Sequence, residues 1–291
     1  LEKMVIHHPL TSIVGAGGMG KTRLACVVAQ SVNPQFAEGV WLVELAHVSD
    51  ASLVSAAVAR AMGASLPGKV STQEELVRTL RDKSLLLILD NCEHVLDAVR
   101  DLVVAIRAVA PRVHMLITSQ ELLRVEGEYV FRLASLPVPT TNNLTTALAS
   151  GAVTLFVERV RALRTGFALN AQNVDDIVEI CRKLDGLPLA IELAAARVPV
   201  LGVAGVRERL SERFRVLTGG TKDAPRRHQT LHETLDWSHS MLSADECAVL
   251  RRAGVFVGGF GLDLAQDVLT DSHMDEWGVL DHLSNLVDKS L

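Results

Sequence analysis

The segment from Gly15 to Thr22 constrains the fold of this chain more than any other, because its sequence is GAGGMGKT. It matches the phosphate-loop pattern G-x-x-x-x-G-K-[ST] at every fixed position, and it lies between an apolar run and a helical pattern. In such a loop, consecutive backbone N–H groups turn inward around phosphates at the N-terminus of a helix. The alternative interpretation of residues 15–22 is an ordinary glycine-rich turn between a strand and a helix. The candidate phosphate-binding residues are Gly15, Ala16, Gly17, Gly18, Met19, Gly20, Lys21 and Thr22.

The side chains at the end of this loop predict a metal-dependent phosphate site. Lys21 is expected to pair with the β- and γ-phosphates of a nucleotide, and the Thr22 hydroxyl to hold Mg²⁺. Further along the chain, the aliphatic run Leu85–Leu89 ends in Asp90, which is a candidate metal-associated acid or a helix-capping aspartate. We predict Lys21 and Asp90 as catalytic residues, and Thr22 and Asp90 as metal ligands. Glu93 could orient water, or it could serve the dipole of the helix that follows.

The first third of the chain alternates short apolar runs with amphipathic stretches, which is typical of a parallel sheet flanked by helices. The predicted fold class is therefore an α/β P-loop NTPase. The predicted strands are Ser12–Val14, Trp41–Val43, Leu85–Leu89, Val113–Ile117 and Tyr129–Leu133. The predicted helices are Lys21–Ser31, Leu53–Met62 and His94–Val109.

After the linker that begins at Leu136, the apolar periodicity is helical only. Gly186 suits the left-handed residue after one helix, and Pro188 suits the first turn of the next. A polar break at 218–223 precedes a third unit with short helices and a predicted strand or wing at 255–260, which together suggest a winged-helix module. The predicted domains are a nucleotide-binding domain over 1–137, an all-α helical domain over 145–216 and a winged-helix domain over 225–291.

Composition excludes several other classes of protein. The formal net charge of −5 gives no general attraction to nucleic acid or to anionic membranes. None of the four cysteines forms a CxxC pair, so we expect buried, reduced thiols in a cytoplasmic protein. The longest aliphatic runs are far shorter than the ~18 residues of a membrane span, and no charged-then-apolar leader opens the chain. Because it starts at Leu1, we interpret the chain as a piece of a larger protein.

Several motifs, in a characteristic order, extend over nearly the whole chain. With them the chain resembles the signal-transduction ATPases with numerous domains, the STAND class, and specifically the NB-ARC-like regulators of actinomycete bacteria. The motifs are GAGGMGKT at 15–22, LLLILDNCEH at 85–94, ITSQELLRVEGEYVFRLASL at 117–136, GLPLA at 186–190, RHQTLHETLDWS at 227–238 and LVDKSL at 286–291.

This resemblance implies ATP or ADP with Mg²⁺ as ligands, and a winged-helix domain that closes over bound ADP. It implies that Pro188 contacts the nucleotide from the helical side. It also places Thr118 and Ser119 at the end of the fourth strand, near the γ-phosphate. Thr118 is then a candidate γ-phosphate sensor, the alternative being a plain hydroxyl at a strand end.

The chain departs from the family pattern at two positions near this site. Gln120 stands where the family usually has an arginine, and Asn91 stands where hydrolytic relatives carry a second acid. Gln offers N–H donors without charge, and Asn cannot act as a base. Arg124 is a possible substitute for the missing charge. Both changes predict tight nucleotide retention, slow turnover and a preference for ADP over ATP. An adenine-binding segment upstream of the first strand is expected to be incomplete, because only residues 1–9 precede it.

The first functional hypothesis is therefore an ATP/ADP-gated switch with slow ATP hydrolysis at most, in a signalling or transcriptional regulator. Its effector and sensor domains would lie outside this chain, and it could form nucleotide-dependent homo-oligomers. The alternatives are a conventional P-loop enzyme, such as an AAA-type ATPase or a small-molecule kinase, and a scaffold with an inactive site. Residues 201–291 contain ten Lys or Arg and fourteen Asp or Glu, so we expect no direct binding of nucleic acid. The basic cluster Arg226–His228 is either a solvated linker or a phosphate contact.

Overall fold

A computed structural model describes residues 1–63, 73–210, 231–256 and 259–291. Its single described sheet has five parallel strands in the order β2-β3-β4-β1-β5. Because β4 lies between β1 and β3, the carboxyl ends of these three strands are neighbours at one edge of the sheet. The strands are β1 Leu10–Val14, β2 Val40–Glu44, β3 Leu85–Asp90, β4 Val113–Ser119 and β5 Tyr129–Arg132.

The central strands are buried on both faces, as a parallel sheet covered by helices requires. Successive side chains of a strand point to opposite faces, so Leu85, Leu87 and Leu89 belong to one core while Leu86 and Ile88 belong to the other. Helices α3 to α5 cover the first face, and α1 and α2 cover the second. These helices are α1 Glu2–His7, α2 Lys21–Val32, α3 Val54–Ala61, α4 Gln73–Leu80 and α5 Leu96–Val109.

The predicted α/β P-loop architecture is confirmed, and all five predicted strands are present within a few residues of their expected bounds. The three predicted helices correspond to α2, α3 and α5. Helices α1 and α4 were not predicted. Both are short, with six and eight residues, and isolated helices of that length are unstable without tertiary packing.

Contacts divide the chain into two compact units. One contains Leu1–Ala16, Lys21–Leu133 and Ser243–Leu291, and the other contains Gly17–Gly20 and Ala134–Leu242. The described part of the second unit is helical around its own apolar core, and α10 is broken at Gly202. Its helices are α6 Leu144–Leu148, α7 Gly151–Leu163, α8 Val174–Lys183, α9 Pro188–Ala195, α10 Val198–Arg209 and α11 Leu231–Ser240. The division into three domains stays a prediction.

The last part of the first unit contains α12 Ala244–Ala253, α13 Leu262–Leu269 and α14 Glu276–Asp288. A capping box begins α12, because the side chains of Ser243 and Glu246 each accept a hydrogen bond from the other residue's backbone N–H. The predicted strand at 255–260 is not found in its described residues, where the rings of Phe256 and Phe260 stack instead. Its two central residues, like the segments 218–223 and 226–228, lie outside the described part of the chain.

No helix in the described ranges combines the length and the apolar character that crossing a membrane requires.

The turn between α8 and α9 has the predicted geometry. Gly186 has φ +67°, and Pro188 is the first residue of α9. The Leu136 amide donates a hydrogen bond to the Gly186 carbonyl at 3.0 Å, and a Cβ on Gly186 would lie 2.1 Å from the Leu136 carbonyl oxygen. The glycine is therefore required by its backbone conformation and by the close approach of a second backbone segment.

We expect Gly186→Ala to lower the free energy of unfolding by roughly 3 kcal/mol or more, through left-handed strain together with a backbone clash. Gly166→Ala is the matched control, because Gly166 has φ +84° but open space around its Cβ position. It should cost only about 1–2 kcal/mol, the strain alone. Urea unfolding of both variants measures the difference, and equal losses would contradict the clash.

Candidate phosphate-binding site

The loop between the end of β1 and the start of α2 has a backbone that only glycine adopts easily at two positions. Gly18 has φ +78° and Gly20 has φ +89°. Gly18 also approaches a neighbour closely: the Leu189 amide donates to its carbonyl oxygen at 3.2 Å, and a Cβ on Gly18 would lie 2.8 Å from the Leu189 Cβ. The GLPLA turn therefore contacts the glycine-rich loop directly, through the residue after Pro188.

The Lys21 ammonium folds back over the first residues of the loop. Its Nζ donates to the carbonyl oxygens of Gly15 at 2.6 Å and of Ala16 at 3.1 Å. Lys21 is the first residue of α2, so its charge lies at the helix N-terminus, where backbone N–H groups also favour an anion. The Lys21 ammonium and the N-terminus of α2 therefore lie at the same place. This combination is typical of phosphate-binding loops.

Asp90, the last residue of β3, brings three elements together. Its Oδ1 accepts a hydrogen bond from Thr22 Oγ1 of α2 at 2.7 Å, and a second from the Thr118 hydroxyl of β4. The backbone N–H of Asn91 donates a hydrogen bond to Thr118 Oγ1 at 3.0 Å. The predicted metal ligands Thr22 and Asp90 and the predicted sensor Thr118 therefore lie side by side. A carboxylate beside a hydroxyl is a donor set of hard oxygen atoms, which suits Mg²⁺.

The position of the absent second acid has a structural role. Asn91 has φ +65°, which asparagine tolerates better than most residues, and its Nδ2 lies 3.5 Å from His94 Nδ1. His94 Nε2 lies 3.1 Å from the carbonyl oxygens of Leu45 and Val48, so that nitrogen carries the proton and Nδ1 accepts from Asn91. The side-chain amide of Asn91 therefore stabilises the turn after β3, and it cannot act as a general base.

Glu93 and Gln120, which the sequence indicated separately, are partners. Gln120 Nε2 donates to Glu93 Oε1 at 3.5 Å, and both residues are buried. Arg124, the possible substitute for the missing arginine, pairs instead with Asp288 at 2.5 Å. Sequence spacing gives no signal for either contact, because the partners are far apart in the chain.

The four cysteines are free thiols. Cys92 and Cys181 are buried, whereas Cys26 and Cys247 are only partly buried, so the expectation of burial is correct for two of the four. Burial raises the pKa of Cys181 to about 12 and raises the pKa of Cys92 well above its usual value, with Glu93 and Asp90 adding to the effect at Cys92. Burial and the Asp90 and Glu44 charges also raise the pKa of Cys26. Among the described residues, no group of three or more His, Cys, Asp or Glu side chains could hold a metal ion.

Comparison with known proteins agrees with this geometry. The NB-ARC domain model matches residues 2–127. The uncharacterized protein Rv0894 of Mycobacterium tuberculosis is 39% identical over 291 residues, which is 100% of this chain and 72% of that protein. The fold and the loop define a P-loop NTPase. The chain belongs to the NB-ARC family.

Two longer relatives are named as regulators. Rv0890c of M. tuberculosis, provisionally named an HTH-type transcriptional regulator, is 38% identical over 292 residues, covering 100% of this chain. The regulatory protein AfsR of Streptomyces griseus is 28% identical over 302 residues, covering 97% of this chain. The chain spans about a third of their lengths, 32% and 27%.

A solved structure supports the fold alone. The ORC2 protein of Aeropyrum pernix, in its ADPNP and ADP complexes, superposes with a TM-score of 0.52 at 14% sequence identity, covering 97% of this chain and 80% of that one.

Proposed function

We propose that this chain is an ATP/ADP-binding switch module of a larger signalling or transcriptional regulator. The observation that carries the proposal is the convergence of Lys21, Thr22, Asp90 and Thr118 at the carboxyl edge of a parallel sheet, beside a phosphate loop. Ligands of open α/β sheets bind at that edge. The family supports nucleotide binding, and the named relatives support a regulatory role.

Nucleotide binding would use groups that the loop already presents. The Lys21 ammonium would exchange the carbonyl oxygens of Gly15 and Ala16 for phosphate oxygens, and loop amides would donate to the phosphates. Thr22 and Asp90 would hold Mg²⁺, which supplies charge neutralisation at the phosphates when bound. The roles of Thr118 as γ-phosphate sensor and of Pro188 as nucleotide contact are part of the same proposal.

The switching element in this proposal is the region of α12–α14, which is part of the winged-helix domain that we propose over 225–291. The end of α14 contacts the loop after β4 and the end of β5. Asp288 pairs with Arg124 of that loop at 2.5 Å and with Arg132 of β5 at 3.8 Å, and Ser290 Oγ donates to the Gln120 carbonyl at 2.8 Å. Gln120 is two residues from Thr118. A shift of Thr118 when ATP replaces ADP would therefore reach the end of α14 through a short, continuous segment.

The same region also contains a buried acid that is held by a lysine. Burial alone would raise the pKa of Glu246, but the hydrogen bonds from Lys289 and from the Ser243 amide lower it below its ordinary value. Lys289 Nζ lies 2.8 Å from Glu246 Oε2. Charged pairing thus joins the end of α14 to the start of α12, and the contacts with Gln120 and Arg124 are made from this same end.

The wider functional context rests on the longer relatives. We propose a cytoplasmic regulator whose effector and sensor domains lie outside this chain, with oligomerisation controlled by nucleotide. The excess of acidic residues over 201–291 favours a role in closure over DNA binding. A conventional P-loop enzyme is the second candidate, but Asn91, bonded to His94, leaves the usual position of the second acid without a base.

The first test of the switch is removal of the phosphate-binding charge. Lys21→Ala should weaken ATP and ADP binding by about ten- to a hundredfold, because a charge-assisted contact is lost. Calorimetry with Mg²⁺ measures both affinities, and chromatography after denaturation identifies the nucleotide that co-purifies. Lys3→Ala, an exposed lysine of α1, is the control. Unchanged nucleotide affinity in Lys21→Ala would contradict the proposal. Thr22→Ala should weaken only the part of the nucleotide affinity that depends on Mg²⁺.

The second test breaks the contact between α14 and the loop after β4. We expect Asp288→Asn and Arg124→Gln each to speed ADP release several-fold and to be non-additive when combined, since they break one ion pair. For this partly exposed pair the coupling should be about 0.2–1 kcal/mol. Arg252→Gln is the matched control, because it breaks the pair with Asp271 inside the same region. The release rate of a fluorescent ADP analogue is measured for each variant. An equal acceleration of release in Arg252→Gln would refute the coupling.

The third test concerns nucleic acid. The whole chain should show no salt-sensitive binding to duplex DNA in a fluorescence-polarisation titration, because its net charge is −5. Micromolar binding that weakens steeply as salt rises would overturn the assignment of residues 201–291 to closure.

A further inference from the structure

Two polar contacts connect the end of β3 and the residues after it to the end of β4 and the residues after it. The inner contact joins Asp90 to the Thr118 hydroxyl, and the outer contact joins Glu93 to the Gln120 amide at 3.5 Å. The outer pair lies further along both segments, beyond the last residues of the strands. That is the direction in which a ligand binds at the carboxyl edge of a parallel sheet.

The Glu93 carboxylate is incompletely satisfied. The residue is only 8% exposed, and Oε1 accepts the Gln120 amide. The second oxygen, Oε2, is buried and has no hydrogen-bond partner among the residues that the structure describes. Burying an acceptor without a donor is costly, so such an oxygen favours a donor that the described residues do not supply, such as a water molecule.

The neighbouring acids and amides are already occupied. Asp90 Oδ1 accepts two hydroxyl groups and is the proposed metal ligand, and the amide of Asn91 is bonded to His94. Glu93 is thus the carboxylate next along the chain from Asp90 with an oxygen left for a ligand. A helix-dipole role alone would not need this burial or the contact with Gln120.

We propose that Glu93 is the catalytic base of slow ATP hydrolysis and that Gln120 is the positioning residue that holds it. This inference rests on the proposed nucleotide switch. The oxygen of a water bound at Oε2 forms a bond to the γ-phosphorus, and the bond from that phosphorus to the β–γ bridging oxygen breaks. ADP leaves with the electron pair of the broken bond, and the water proton passes to the Glu93 carboxylate. The products are ADP, inorganic phosphate and that proton.

The proposal also explains the glutamine at position 120. A neutral amide can orient one carboxylate oxygen without neutralising the charge that a base needs. An arginine there would form a charged pair with Glu93 and hold the carboxylate as an ion-pair partner. In this chain residue 120 therefore serves the base, while its carbonyl oxygen receives Ser290 from the end of α14.

The test compares Glu93→Gln, Glu93→Asp and Gln120→Met with Glu126→Gln, which changes an exposed glutamate near the same loop. Three quantities are measured: single-turnover ATP hydrolysis with Mg²⁺, the Kd values of ATP and ADP by calorimetry, and the urea midpoint without nucleotide. Glu93→Gln should slow hydrolysis by about a hundredfold or more, as loss of a general base does. Its ADP affinity and urea midpoint should stay close to those of the wild type.

The same variant should bind ATP about fivefold more tightly, because a carboxylate that faces the γ-phosphate repels it. Glu93→Asp should recover part of the hydrolysis rate, and Gln120→Met should lose about tenfold in rate without a change in ADP affinity. Wild-type rates in all variants, including the Glu126→Gln control, would overturn the proposal. The proposal would also be overturned if Glu93→Gln lost ADP affinity and lowered the urea midpoint along with the hydrolysis rate. That result would show that Glu93 has a structural role.

Failure of the proposed role of Glu93 and failure of the proposed nucleotide switch give different results. A wild-type protein that binds ATP and ADP but hydrolyses no ATP in a single turnover would refute the role of Glu93 and leave the nucleotide switch intact. A wild-type protein that binds neither nucleotide would refute the proposed function, and the role of Glu93 with it.

Discussion

The carboxylate of Asp90 is the interaction on which the arrangement of the site depends. It accepts hydroxyl groups from α2 and from β4 while it ends β3, so one buried charge joins three elements that are distant in sequence. A buried carboxylate is stable only when donors surround it, and Thr22 and Thr118 are those donors. The sheet order makes this possible, because β4 separates the strand that leads into the phosphate loop from the strand that ends in the acid.

Close backbone approaches fix the glycine-rich segments with similar strictness. At Gly186 a second backbone lies where a side chain would begin, and at Gly18 the first carbon of Leu189 does. Both glycines also have positive φ values. The two requirements act together, because a residue that tolerated the left-handed conformation would still clash. Loop shape and the start of α9 are therefore determined by the absence of a Cβ atom, and not by attractive side-chain contacts.

The sequence predicts most of the fold and the inner part of the site, because both produce local patterns. Leu85–Leu89 is too aliphatic and too short to be anything but a buried strand, and Lys21 and Thr22 belong to a contiguous motif. Helix α4 was not predicted, since its eight residues become stable only when Leu76 and Leu80 pack in the core. The pairs of Glu93 with Gln120 and of Arg124 with Asp288 join residues 27 and 164 positions apart, so only the sheet topology brings them together.

The end of β4 and the loop after it concentrate contacts whose partners have different proposed functions. Within seven residues, Thr118 bonds the proposed metal ligand, Gln120 bonds the proposed base, and Arg124 bonds the end of α14. The segment is short and its peptide units are planar, so these three contacts are separated by only a few backbone dihedral angles. In the proposed switch, nucleotide state, hydrolysis and the attachment of α14 are linked through this one segment. The partly exposed ion pair of Arg124 with Asp288 contributes little free energy by itself. A reversible switch requires such a contact, because it favours one state by a small margin and is released when a phosphate is gained or lost.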